Sequence, residues 1–188
     1  MILIQNGRVL DPVTNTDQVM DVLLDESGIV KTGEHLEAEG ADVIDASGLV
    51  VAPGLMDAHV HFRDPGLTYK EDIFTGAAAA ARGGFTAVCA MPNLDPVPDS
   101  RENLLKEIGI IARDAVINVY PYAALTVGEK GLVAADLEGT SDLCVAYSDD
   151  GKGVQRRDTM LSLMERAEKL GKIVAAHCED ESLLRGGY

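Results

Sequence analysis

Four histidines occur among the 188 residues of the sequence, and three of them fall where apolar segments end. His59 and His61 close one such segment, and a spacing of two places both imidazoles on the same face of a strand. Imidazoles placed in this way can reach one metal ion at about 2.0–2.1 Å. His177 ends a later segment, and Asp149 and Asp150 directly follow another. Three imidazoles and a carboxylate at strand ends form the donor set of a zinc site.

Each of these features also has a plain structural explanation when it is taken alone. An H-x-H pair can occur by chance. A histidine such as His177, taken alone, is often a core residue with its hydrogen bonds made within the protein, and Asp149-Asp150-Gly151 is typical of a turn. Their joint placement at three strand ends favours metal ligation. His35, in an acidic loop, has no such placement.

Two polar residues near these strand ends are candidates for holding a substrate. Arg63 lies two positions after His61, where a guanidinium can bind a substrate carboxylate through two hydrogen bonds. The alternative is a surface arginine paired with Asp64. Asn93 follows the next apolar segment and can hydrogen-bond the same substrate, or it is a turn residue.

The composition is that of a globular chain with a strong acidic excess. The formal net charge is −15, which argues against a nucleic acid or an anionic membrane surface as partner, because both would repel it. No run approaches the roughly 20 apolar residues of a transmembrane helix. Three cysteines and no signal-peptide pattern indicate a reducing compartment, so the cytoplasm is expected. Cys89 and Cys144 lie inside apolar segments and are expected in the core, whereas Cys178 is interpreted as a small buried hydrophobe, with metal ligation the alternative.

The first 53 residues differ in pattern from the rest. Short apolar pieces alternate with turn signals such as Asp25-Glu26-Ser27-Gly28, and Asp11-Pro12 begins a polar stretch that reads as a loop. This pattern predicts a small antiparallel β module over residues 1–53. The apolar pieces cover residues 1–4, 19–24, 28–31, 42–45 and 49–52.

From residue 54 onward, apolar strands alternate with amphipathic helices. Capping signals predict helix starts at Thr68, Asp99 and Asp158, and a short helix is expected over 131–137. The order is β(αβ)₄, which is typical of a parallel sheet covered by helices. A TIM-like barrel and an open doubly wound sheet both have this order, and no glycine-rich nucleotide motif favours the open sheet. The five predicted strands cover residues 55–60, 85–91, 116–125, 143–148 and 173–177.

At this level of detail the chain resembles a known family. Residues 54–66, with the sequence GLMDAHVHFRDPG, resemble the first metal motif of the dihydroorotases, which belong to the cyclic amidohydrolase superfamily. Residues 90–93 (AMPN), 148–151 (SDDG) and 176–180 (AHCED) are similar to later motifs of that family in order and spacing. The resemblance extends over essentially the whole chain.

The resemblance implies a fold, a reaction and a set of roles. The fold would be a (β/α)₈ TIM-like barrel with an appended N-terminal β-sandwich, and the reaction the reversible cyclisation of N-carbamoyl-L-aspartate to (S)-dihydroorotate. One or two Zn²⁺ ions would be held, with His59 and His61 on the first and His177 on the second. Arg63 and Asn93 would hold the substrate carboxylate. A homo-oligomer and a complex with aspartate transcarbamoylase are partners that the resemblance allows.

The acid at the end of the fourth predicted strand separates the alternatives. Many members of the superfamily bridge two metals with a carboxylated lysine at the position of Asp150, and the nearest lysine here is Lys152. An aspartate at this position fits one dihydroorotase subtype and disfavours a hydantoinase or an allantoinase. A non-catalytic, dihydroorotase-like scaffold of aspartate transcarbamoylase is the remaining alternative. The retained ligands argue against it, and the spacing to His177 favours Asp150 over Asp149 as the ligand.

The length of the chain departs from the family. A (β/α)₈ barrel takes about 250 residues, and only about five strands are predicted after the β module. We therefore interpret residues 54–188 as the first part of the barrel in a longer enzyme. A further histidine ligand and the catalytic acid/base aspartate would then lie beyond Tyr188, and the 188-residue chain alone is expected to be inactive.

Overall fold

The computed structural model describes residues 1–186, which form two compact units, Met1–Gly54 and a second that begins at Leu55. This division lies beside the change of pattern at Pro53-Gly54, and the domain ranges 1–53 and 54–188 stay a prediction. Gly187 and Tyr188 lie outside the described residues.

The first unit is one five-stranded sheet with the strand order β3-β2-β1-β4, in which β5 also pairs with β1. Asp21 is buried there and accepts hydrogen bonds from the backbone N–H groups of Asn6 (2.9 Å) and Leu36 (2.9 Å). These bonds lower the pKa of Asp21 and fix the bulge in β1, where Asn6 has a φ of 62°. The strands are β1 Ile2–Asp11, β2 Thr16–Asp25, β3 Gly28–Gly33, β4 Asp42–Asp45 and β5 Val50–Val51.

The prediction of a purely antiparallel module is wrong for one edge of this sheet. β1 pairs antiparallel with β2, and β2 with β3, but β4 and β5 both lie parallel to β1. Turn residues specify hairpins between strands that are neighbours in sequence. The strand with which β4 and β5 pair, and the direction of that pairing, depend on contacts between residues far apart in the chain. The described residues of this unit form a single sheet.

The second unit alternates strands and helices. The strands β6, β7 and β8 form a parallel three-stranded sheet, and β9 pairs parallel with β10. A parallel bridge joins Tyr147 of β10 to Val174. The helices are α1 Ile73–Arg82, α2 Arg101–Asp114, α3 Leu137–Thr140 and α4 Arg157–Lys169, and the strands are β6 Leu55–Val60, β7 Phe85–Ala90, β8 Asn118–Pro121, β9 Ala123–Ala124 and β10 Tyr147–Ser148.

The strand order of this unit bears on the two α/β architectures that the sequence allows. Strands follow one another across the sheets in chain order, and every pairing among the described residues of this unit's strands is parallel. An open doubly wound sheet requires a reversal of that order at its switch point. The described strands show no such reversal, and the closed barrel stays a prediction.

Two helix starts differ from the sequence prediction. α1 begins at Ile73, because Asp72, and not Thr68, accepts the hydrogen bond from the backbone N–H of Thr75 at 2.8 Å. α2 begins after Ser100, whose hydroxyl caps it. The predicted cap of α2, Asp99, instead accepts from the N–H of Gly128 in a later loop. Several residues in each segment can cap, and tertiary contacts decide which one does.

Further differences lie in the second half of the unit. α4 begins at Arg157, where no side chain among residues 1–186 caps it, and Asp158 lies in its first turn. The helix predicted over 131–137 is wrong, since α3 begins only at Leu137. The fifth predicted strand contributes only the bridge at Val174, because its one described pairing partner, β10, is two residues long.

A close packing contact fixes the loop that follows β6. Phe62 is buried against α1, and a Cβ on Gly76 would overlap its ring. Only glycine allows this approach, so Gly76 sets the position of the backbone next to His61.

No helix among residues 1–186 is long and apolar enough to cross a membrane.

α2 buries an acid without a partner for one of its oxygens. Glu107 is 1% exposed, and its Oε2 has no hydrogen-bond partner within residues 1–186. Burial raises the pKa of Glu107 well above its ordinary value, and the charge of Asp64 adds to this. The folded protein therefore favours the neutral acid.

We expect Glu107 to make stability fall as the pH rises. The unfolded chain releases this proton near the ordinary glutamate pKa, so the penalty of ionisation grows from about pH 5 upward through the folded pKa. Glu107→Gln should raise the unfolding midpoint relative to wild type at about pH 8 and lose that advantage near pH 5. Thermal unfolding across this range measures the effect, with Glu102→Gln, an exposed acid of the same helix, as control. Parallel pH profiles of wild type and Glu107→Gln would contradict the prediction.

Candidate metal centre

The structure brings His59, His61 and Asp150 together at the ends of two strands. The Nε2 atoms of the two histidines lie 3.3 Å apart, and each lies 3.5 Å from Oδ2 of Asp150. Four-coordinate zinc with bonds of about 2.0–2.1 Å separates neighbouring ligand atoms by about 3.3–3.4 Å. The two nitrogens and the carboxylate oxygen therefore have the chemistry and the spacing of three ligands on one ion.

His177 approaches the same carboxylate from the other side. Its Nδ1 lies 3.3 Å from Oδ1 of Asp150, whereas the H-x-H pair lies near Oδ2. The side chain of Asp150 is only 7% exposed. One buried carboxylate thus contacts all three imidazoles that the sequence singles out, with a different oxygen for His177 than for the other two.

Asp149 has a different environment from its neighbour. It is 2% exposed, and its Oδ1 accepts from the backbone N–H groups of Leu125 (2.9 Å) and Thr126 (3.0 Å). Its Oδ2 accepts from the hydroxyl of Thr126. Burial raises the pKa of Asp149, and these three bonds oppose the shift. Its oxygens are occupied in fastening the end of β9 to the end of β10.

Two contacts from neighbouring strands hold the backbone of the cluster. The hydroxyl of Tyr122 donates to the carbonyl of Ala58 at 3.2 Å, next to His59. The Nδ2 of Asn93 donates to the carbonyl of Asp150. The carboxyl ends of successive strands are thereby joined, which is where active sites of parallel barrels form.

The structure places both predicted substrate residues beside the cluster. Arg63 pairs with no carboxylate among the residues the structure describes, so the alternative of an ion pair with Asp64 does not apply there. The Nδ2 of Asn93 donates to the carbonyl of Asp150, and the Asn93 side chain also lies beside the imidazole of His61.

Left-handed backbone occurs at three residues beside the candidate ligands. Arg63, Glu129 and Cys178 have φ values of 60°, 54° and 60°. Non-glycine residues adopt this conformation at a cost and concentrate at functional sites. Cys178 is exposed, so its interpretation as a buried hydrophobe is wrong; its Sγ lies 3.5 Å from the carbonyl of Ala176. Cys89 and Cys144 are buried, as the sequence predicts.

Glu129 is a candidate that sequence reasoning missed. It is 3% exposed, and its Oε1 has no hydrogen-bond partner in the part of the chain that the structure describes. Burial raises the pKa of Glu129 to about 8, with the charges of Asp149 and Asp150 adding to the shift and those of Lys152 and Arg63 opposing it. No pattern in the sequence around Glu129 predicts that this side chain is buried. Its position just after β9 is the one sequence feature that points to the candidate site.

The electrostatics keep one of the histidines in the form that binds a metal. Burial lowers the pKa of His61, and the charge of Arg63 lowers it further, while Asp150 opposes both. A neutral imidazole has the free lone pair that a metal requires.

Comparison with known proteins identifies related sequences over nearly the whole chain. A family model described as "Dihydro-orotase-like" matches residues 48–188. The dihydroorotase of Bacillus cytotoxicus is 46% identical over 186 residues, 98% of this chain and 43% of that protein. The dihydroorotase of Geobacter sulfurreducens is 44% identical over 188 residues, 99% of this chain and 44% of that protein. The chain therefore spans less than half the length of the curated relatives it matches.

Solved structures share its fold. An L-hydantoinase from Arthrobacter aurescens aligns with a TM-score of 0.84 at 18% identity, over 98% of this chain and 42% of that one. A D-hydantoinase from Thermus sp. gives 0.80 at 26% identity, over 98% and 41%. A structure titled as a dihydroorotase gives 0.65 at 14% identity, over 96% and 52%. These likenesses support an amidohydrolase-type α/β fold.

The two adjacent acids are expected to respond differently to the same substitution. Asp150→Asn should lose bound divalent metal, because it removes the charge from the carboxylate that faces three imidazoles. Asp149→Asn keeps an acceptor oxygen for the bonds at Leu125 and Thr126 and should retain most of the metal. Elemental analysis after dialysis measures the metal content. Loss of metal in Asp149→Asn with retention in Asp150→Asn would contradict this assignment.

Proposed function

This chain belongs to the dihydro-orotase-like family, and from that membership we propose that it is part of a metal-dependent dihydroorotase. The reaction is the reversible cyclisation of N-carbamoyl-L-aspartate to (S)-dihydroorotate and water in pyrimidine biosynthesis. The observation that carries the proposal is the identity of 43–46% with dihydroorotases over nearly all of the chain.

Zinc is the proposed metal, in one or two ions. His59 and His61 would hold the first ion, His177 the second, and Asp150 would serve both. The distribution of imidazoles between the two oxygens of Asp150 supports this arrangement. When bound, such an ion polarises a carbonyl group and lowers the pKa of water toward about 7.

The remaining residues of the site would bind and orient the substrate. Both N-carbamoyl-L-aspartate and dihydroorotate carry a carboxylate, for which the guanidinium of Arg63 is a suitable partner. Asn93 is proposed to hold the same carboxylate. The acid/base aspartate is expected beyond Tyr188.

A hydantoinase or allantoinase is the alternative within the superfamily. The structural likeness to hydantoinases favours it only at the level of fold. Against it, Asp150 occupies the position at which those enzymes carry a bridging lysine, and Lys152 is exposed. A non-catalytic scaffold of aspartate transcarbamoylase is the alternative outside enzymes, and the intact ligand cluster argues against it.

The completed protein is proposed to contain an eight-stranded barrel and a β-sandwich. Two observations support further strands at the barrel edges: Leu55 and Met56 of β6 are each 56% exposed, and Ile173 is 67% exposed. The coverage of 43–44% of related dihydroorotases agrees with this proposal. A cytoplasmic location, a homo-oligomer and a transcarbamoylase partner stay predictions.

Substrate preference tests the proposed activity. We expect the full-length protein to show a higher kcat/KM for dihydroorotate than for hydantoin or allantoin, because Arg63 can pair with the carboxylate of dihydroorotate. Steady-state assays with the three compounds, together with zinc analysis, decide between the alternatives. A preference for hydantoin or allantoin would overturn the choice of enzyme. Absence of both zinc and turnover would support the scaffold.

Residues 1–188 expressed alone are expected to lack turnover. The apolar edges at β6 and Ile173 would stay exposed to water and favour aggregation. Proton transfer by a positioned acid or base contributes about 10²–10⁴-fold to rate, and its proposed carrier is missing. Size-exclusion chromatography and a dihydroorotate assay, with the longer protein as control, test this. A soluble monomer with turnover near that of the longer protein would disprove it.

A further inference from the structure

The imidazole of His177 lies between two carboxylates. Its Nδ1 is 3.3 Å from Oδ1 of Asp150, and its Nε2 is 3.5 Å from Oε2 of Glu179. A neutral imidazole carries one proton, and the hydrogen bond made by one ring nitrogen decides which nitrogen keeps a free lone pair. With a metal ion between Nδ1 and Asp150, the carboxylate of Glu179 would hold the one imidazole proton at Nε2 and leave the lone pair of Nδ1 for the ion.

We propose that Glu179 is a positioning residue that sets the tautomer and orientation of His177 for metal binding. The inference rests on the proposed metal-dependent function, since it assigns His177 as a ligand. Carboxylates that accept the second N–H of a ligating histidine fix its ring and raise its basicity. Glu179 does not contact the metal in this assignment and acts only through His177.

The backbone around Glu179 is fastened to the loop that carries Asp150. Gln155 donates from Nε2 to the carbonyl of Glu179 at 3.0 Å and to that of Lys152 at 3.2 Å. Its Oε1 accepts from the N–H of Glu181 at 3.1 Å. One side chain therefore holds the peptide groups on both sides of Asp180. These bonds hold the backbone of Glu179, whose carboxylate lies beside the imidazole of His177.

Other residues near His177 do not offer the same contact. The thiol of Cys178 is directed to the carbonyl of Ala176. Asp180 is engaged with the hydroxyl and N–H of Ser182. Among the described residues, the ion pairs of His177 are those with Asp150 and Glu179 alone. The Nε2 side of the ring thus depends on Glu179.

The test compares metal affinity across matched variants of the full-length protein. Glu179→Ala should weaken zinc binding by about 10–100-fold, the usual effect of removing such a partner. Glu179→Gln keeps an oxygen that can accept from Nε2 and should fall between Glu179→Ala and wild type. Glu181→Gln removes the same charge from the same segment and should bind zinc as wild type does, because among the described residues only the backbone of Glu181 is hydrogen-bonded.

Two readouts separate positioning from a merely structural role. Zinc affinity is measured by competition with a chromophoric chelator, and the visible absorption spectrum of the cobalt-substituted protein reports ligand geometry. The proposal expects Glu179→Ala to change both while Glu181→Gln changes neither. If Glu179→Ala has the zinc affinity and the cobalt spectrum of wild type, the proposal is overturned. The proposed function still stands in that case, provided that the wild-type protein binds zinc and turns over dihydroorotate. A wild-type protein that binds no zinc would overturn both.

Discussion

A single buried carboxylate organises the second unit of this protein. The side chain of Asp150 is almost fully withdrawn from water and lies within 3.5 Å of three imidazoles. A buried polar group needs polar partners, and the three imidazoles lie where such partners are required. The three histidines come from two segments more than a hundred residues apart in sequence. Their convergence therefore requires strands that run in one direction and end at one edge.

The loops at that edge are fixed by hydrogen bonds that leave the cluster free. Asp149 binds the peptide groups of Leu125 and Thr126, and Asn93 binds the carbonyl of Asp150. Two adjacent acids thus have separate tasks, since one fastens strand ends and the other faces the imidazoles. Rigid support of this kind is what a metal site needs from the surrounding protein.

Buried acids without full hydrogen bonding distinguish this unit further. Glu107 in α2 and Glu129 after β9 each have one carboxylate oxygen without a hydrogen-bond partner among the described residues, and burial raises the pKa of both. Unpartnered polar groups cost stability in any fold. The pKa of Glu129 responds to the charges of Asp149, Asp150 and Arg63, so the loss of stability at Glu129 arises close to the candidate site. The loss of stability at Glu107 arises in helix α2.

The sequence by itself determined the parallel α/β alternation, the choice of candidate ligands and the family, because apolar periodicity and motif spacing are local properties of the chain. It placed helix starts at Thr68 and Asp99 that the structure moves to Asp72 and Ser100, since several nearby residues can cap and only tertiary contacts select one. Only the tertiary structure decided that β4 and β5 lie parallel to β1, that Cys178 is exposed, and that Glu129 is buried beside the cluster. These outcomes depend on contacts between residues far apart in the chain, whose burial and partners no local pattern specifies.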